Sequence, residues 1–249
     1  VSSETASKVA VTEMPLEGIA AYWLSLRKVM GNKVSAKVAR EEAERTDETY
    51  IKYVLTSAFN GLSDEQFLRL ARSKAETVLR SLRHRYGMIS EALLSMSAGE
   101  NPRKSLMRMS AYFPSTRIPE DRISKMALEM VRKARDGGVQ GFTVTIDDST
   151  PADQLLVKLM FYVFWLRHEG SHDFASLSES SRSIFFREGI SMLGDGFDRS
   201  FIKTCLDLRR NGLVEDAALK LKMTAELARG LREGMSYDEL FALGQAFMP

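Results

Sequence analysis

Apolar residues recur at spacings of three and four along most of this chain, which is the period of helices with one buried face. Gln66 to Tyr86 is the clearest case, with Phe67, Ala71, Val78 and Leu82 in register. Ser63, with Gln66 three residues on, predicts a capping box at its start, and Gly87 predicts its stop. Pro119 to Asp136 repeats the design through Ile123, Ala127, Met130 and Ala134 and ends at Gly137-Gly138. Further helices are predicted over Pro15–Met30, Asn32–Arg45, Asp47–Phe59, Met88–Ser97, the stretch around Pro102–Phe113, Ser178–Met192, Asp198–Asn211, Leu213–Leu231 and from Ser236. The run Leu159 to Leu166 is apolar without a polar side, which predicts a central helix over 151–169 buried all round, with Thr150 as its cap. Eight residues are too few to cross a bilayer, which takes about 20, so no membrane partner is expected.

Val139 to Ile146, rich in β-branched residues, is the one strand pattern, and a lone strand needs a partner. The fold class expected is therefore all-α: a multi-helix bundle with at most one short β segment near 139–146. The expected organisation is a flexible arm over 1–14, a basic helical lobe over 15–136 and a second helical lobe over 137–249. The arm is also read as a segment through which copies exchange to form a homo-oligomer.

Charge changes this picture more than composition does. The 249 residues are 44 % apolar and 27 % charged, which is ordinary for a globular chain. The net charge of +2 hides a polarised distribution. Gln66 to Arg135 holds 15 Lys+Arg against six acids, while the remainder holds 20 against 27. The bases follow the helical period. Arg69, Arg72, Arg80 and Arg83 form one stripe, interrupted only by Glu76; Arg122, Lys125 and Arg132 form another, broken only by Glu129; and Arg103, Lys104 and Arg108 stand between them, followed by Arg117.

A solvated helix normally alternates sign, since each i,i+4 pair contributes about 0.2–0.5 kcal/mol. Bases without acids in reach forgo that term and repel one another, and an anionic partner removes the cost. Eleven of the 15 are Arg, whose planar fork matches phosphate oxygens. The plainer explanation is that these bases pair with acids from elsewhere in the fold. Tyr86, Tyr112 and Phe113 lie within the basic stretch and are placed to stack on bases. As helix-face residues they are more often core residues.

Two short resemblances bear on function. His168-Glu169-Gly170-Ser171-His172 resembles the zincin signature, in which two His one helical turn apart bind zinc and Glu acts as base. Gly170 stands where that family carries a bulky apolar residue, and Gly-Ser weakens the helix that must hold both ligands. The match is therefore read as coincidence: no enzyme, no cofactor and no metal are expected. The fragment from Glu100 to Ser110 is similar to a basic, Met-rich stretch in phlebovirus-type nucleoproteins, over those eleven residues and at a different place in the chain.

The single cysteine, Cys205, falls in an apolar helical row; it excludes an intrachain disulfide and fits a reducing, cytoplasmic compartment, or a virion if the protein is a coat. The N-terminus shows no signal-peptide layout, and its lack of Met implies processing. The reading is a helical, self-associating protein that binds single-stranded RNA, or another polyanion, through backbone phosphates. The alternative is a non-enzymatic adaptor that docks an acidic protein, as a bacterial secretion gatekeeper does, and a zinc hydrolase is third.

Overall fold

The computed structural model describes residues 10–31, 34–112, 118–137, 144–170 and 181–248, and among these the fold is all-α, with ten helices and no strand. They are α1 (Leu16–Met30), α2 (Ala36–Arg45), α3 (Thr49–Ala58), α4 (Asp64–Ser97), α5 (Pro102–Ser110), α6 (Glu120–Gly137), α7 (Ala152–Glu169), α8 (Ile184–Gly194), α9 (Arg199–Glu233) and α10 (Tyr237–Gln245). No helix among the described residues is long and apolar enough to cross a membrane.

Two predicted breaks do not occur. α4 runs unbroken through Gly87, and α9 through Gly212. A glycine inside a helix costs only about 1 kcal/mol relative to alanine, which packing on either side readily outweighs. Gly87 is there for space rather than for a stop. It is buried, and a Cβ at that position would fall inside the Tyr112 ring. The start of α4 is as the sequence predicts: Ser63 N–H donates to Gln66 Oε1 at 3.0 Å, and Gln66 N–H donates to Ser63 Oγ at 3.2 Å.

These long helices set the division of the chain. It forms two compact units, Val1–Arg80 with Leu213–Pro249, and Ser81–Gly212. Each long helix gives one part to each unit, so the seam predicted near Gly137–Gly141 falls within the span of the second.

In the first unit the core includes Ile19, Trp23, Tyr50, Val54, Phe67, Leu227 and Leu231. The Tyr50 hydroxyl donates to the carbonyls of Ala71 and Leu221, tying α3 to α4 and α9, and burial pushes it well above the ordinary phenol range. The segment expected to be a free arm is partly fixed. Val11 is 1 % exposed, Glu13 N–H closes a turn on Ala10 O, and Lys220 donates to Thr12 O at 3.1 Å. The rest of that arm, residues 1–9, lies outside the described residues. Ser236 and Glu239 form a reciprocal capping box at α10.

The second unit is built on α7, whose residues Leu155 to Val163 are buried except for Lys158. α5 and α6 pack against it, and the Tyr162 ring lies 4.8 Å from that of Phe186. The predicted strand is not formed over 144–146, and residues 139–143 lie outside the described set. The extended stretch satisfies its backbone without a ladder. Val144 O accepts from the Tyr162 hydroxyl at 2.8 Å, and Thr145 O accepts from Lys158 Nζ at 2.5 Å. Ile146 O accepts from the N–H groups of Arg182 and Ser183. Side chains of α7 and a neighbouring chain segment thus replace the missing strand, and no sequence period records that.

Thr150 does not cap α7. Its hydroxyl donates to Asp147 Oδ1 at 3.0 Å in a turn whose carbonyls, Asp147 O and Thr150 O, accept from the Arg85 guanidinium. The two acids of this turn behave oppositely. Burial works against ionisation of Asp147, yet bonds from Ser149 and Thr150 and the Lys158 charge hold its carboxyl below the ordinary range. Burial pushes the Asp148 carboxyl up, against the pull of Arg85, and its Oδ1 is buried without a hydrogen-bond partner. A carboxyl raised on folding contributes stability that is present at low pH and lost as pH rises through its folded value. Asp148→Asn is therefore expected to gain in thermal midpoint over the parent as pH goes from about 3 to 7. A difference in midpoint that does not grow with pH contradicts this.

Candidate nucleic-acid interface

The cations of the basic stretch stand outside the helices because the opposite face of each helix is claimed by core. α5 starts at Pro102 with Asn101 as cap, its Oδ1 accepting from Arg103 N–H at 2.9 Å. Ser105, Leu106 and Met109 are buried, which leaves Arg103 and Lys104 exposed in the first turn. On α6, Ile123, Ala127, Val131 and Ala134 are buried, and Arg122, Lys125 and Arg132 are exposed. On the part of α4 in the first unit, Phe67, Ala71 and Leu79 are buried and Arg69, Arg72 and Arg80 are exposed.

Among the described residues, none of these eight cations has a carboxylate within 4.0 Å or a side-chain hydrogen bond. Arg103 and Lys104 are the least expected of them. The first turn of a helix carries positive dipole charge and favours acids, and here it carries two bases.

The remaining candidates differ. Arg108 is taken by two acids, Glu100 at 3.3 Å and Glu91 at 3.8 Å, so its charge is already matched within the basic stretch. Arg83 is exposed on α4 and makes an interaction of its own. Arg117 and Phe113 lie outside the described residues. Arg85, which the charge count cannot tell from its neighbours, is the clamp on the 147–150 turn.

Acids elsewhere are engaged locally. Glu188 pairs with Arg209, Asp207 with Lys203 and Arg210, Asp216 with Lys220, and Glu226 and Glu233 with Arg229. All of these pairs but Glu188–Arg209 lie within one turn on α9, so these five carboxylates are held by bases other than those of the basic helices.

The two stacking candidates among the described residues, Tyr86 and Tyr112, are in use. Tyr86 is buried with its ring 4.9 Å from that of Phe185. Tyr112 covers Gly87 and meets His84 edge-on at 6.3 Å. Cys205 is half-buried between α8 and α9, beside Met192 and Leu206.

The zincin-like motif is described only over its first three residues, His168 to Gly170. α7 ends at Glu169, and Gly170, with φ 75° and ψ −161°, turns the chain out of the helix. The His168 ring stacks near that of Phe164, and His172 lies outside the described residues. Comparison with protein families, with curated proteins and with solved structures gave no match to this chain.

Proposed function

We propose that this chain binds single-stranded RNA through its phosphate backbone, without sequence preference, in the manner of a nucleocapsid or coat subunit. The observation that carries the reading is the set of exposed cations on α4, α5 and α6 that have no carboxylate within 4.0 Å among the described residues. Each guanidinium or ammonium that meets a phosphate releases a condensed counterion, so affinity comes from charge rather than from base edges.

The test is a titration of the whole chain with labelled single-stranded RNA of two unrelated sequences over a range of salt. Equal affinities are expected, with log K falling against log salt by about 0.7 per phosphate contact. Absence of binding at low salt, or binding indifferent to salt, removes the reading. Capture of an acidic protein with no response to RNA replaces it with the adaptor reading.

A further inference from the structure

Phosphate contacts leave two exposed methionines among the unpaired cations without a role. Met107 is 64 % exposed on α5, and Met126 is 38 % exposed on α6. Met107 stands one turn beyond Arg103 and Lys104. Met126 stands one turn beyond Arg122 and beside Lys125. On α5, therefore, an apolar thioether follows two unpaired cations, and on α6 it stands between Arg122, one turn before, and the exposed acid Glu129, one turn after. On α5 the other methionine past the cap, Met109, is fully buried, so exposure is particular to Met107. Of the rings that the sequence offers for stacking, the two among the described residues are engaged: Tyr86 is in the core and Tyr112 covers Gly87.

A cation and an exposed apolar group within one turn match a ligand with an anionic chain and flat apolar faces, which is an unpaired nucleotide. We infer that Met107 and Met126 are the base-contacting residues, their thioethers lying against the faces of unstacked bases whose phosphates meet Arg103 and Lys104, or Arg122 and Lys125. The inference rests on the nucleic-acid reading above and deepens it. A duplex offers the same phosphates but hides its base faces in the stack, so these contacts make the protein selective for single strands. They leave it indifferent to sequence, because every base has such a face.

A membrane surface also combines anions with apolar matter. Helices that lie in that surface present a broad apolar face outward. Here the broad apolar faces of α5 and α6 are buried; the exposed neighbours of Met107 on α5 include Arg103 and Lys104, and those of Met126 on α6 include Arg122, Lys125 and the acid Glu129.

The experiment compares a single-stranded oligouridine with an RNA duplex of equal length by fluorescence anisotropy at low salt, using the full chain. Three proteins are titrated: the parent, Met107→Ser with Met126→Ser, and Arg103→Gln with Lys104→Gln. Both methionines are surface residues, and a Met107→Leu with Met126→Leu protein controls for lost apolar area. The parent is expected to prefer the single strand. The serine variant is expected to lose about three- to tenfold in single-strand affinity per methionine. Its duplex affinity and salt slope are expected to be unchanged, and the leucine variant is expected to retain most of the binding. The glutamine variant is expected to weaken on both RNAs and to flatten the salt slope.

Full single-strand affinity in the serine variant, with loss in the glutamine variant, overturns this inference and leaves the phosphate reading standing. Equal parental affinity for duplex and single strand also overturns it. Failure of the parent to bind either RNA overturns both. Binding to phosphatidylserine–phosphatidylcholine vesicles that the serine variant alone loses, with RNA binding intact, replaces nucleotide by lipid.

Discussion

Arg103→Glu combined with Lys104→Glu is expected to lower affinity for single-stranded RNA about a hundredfold at low salt, and to reduce the salt slope by about one to two contacts. Both side chains are exposed and lack a carboxylate partner among the described residues, so the reversal removes attraction and adds repulsion without breaking a contact in the fold. The fold is, if anything, firmer in the variant. Both positions lie in the first turn of α5, where a helix favours acids. An unchanged or raised thermal midpoint alongside the weakened binding is therefore part of the expected result. Arg108 is the wrong residue for this experiment. It holds Glu91 and Glu100, and a glutamate there would gather three carboxylates and destabilise the second unit. A double reversal at 103 and 104 that binds RNA as the parent does would remove these residues from the interface.

The same substitution at two helical glycines is expected to act in opposite directions. Gly87→Ala should destabilise by about 1–3 kcal/mol, because its Cβ meets the Tyr112 ring in a closed part of the core and something must shift to admit it. Gly212→Ala should stabilise by about 0.5–1 kcal/mol. That position is exposed inside a continuous helix, nothing lies within 4 Å of the added carbon, and alanine loses less backbone entropy. Chemical denaturation of the two variants checks both signs. A stabilising Gly87→Ala would mean that Tyr112 does not occupy the space above that glycine.

The helices were legible in the sequence wherever one face is buried. The stripes of α4 and α6, the capping box at Ser63, the helix start at Ser236 and the all-apolar run of α7 are local patterns, fixed by the helical period and by the unmet N–H groups at each helix start. Which cations stay unpaired was only half legible. Charge counting singles out the basic stretch, but Arg85, Arg103 and Arg108 look alike in one dimension. Only packing shows that Arg85 clamps a turn, that Arg108 is held by two acids and that Arg103 is bare.

Glycine was misread for the same reason. Read alone, Gly87 is a stop and Gly212 a break, whereas helix propensity at one residue is worth about 1 kcal/mol and is overruled by the packing around it. The stretch 144–146 has a strand's composition, and its backbone is satisfied by the tips of Tyr162 and Lys158 and by two N–H groups beyond position 180. Those partners are distant in sequence, so only the folded chain can supply them. The sequence by itself determined where most helices lie and the sign of the charge on each, because both depend on neighbours within one or two turns; it did not determine where the two long helices continue through glycine. The tertiary structure decided which of those charges and apolar groups were left over, because that depends on contacts that close only when the chain is folded.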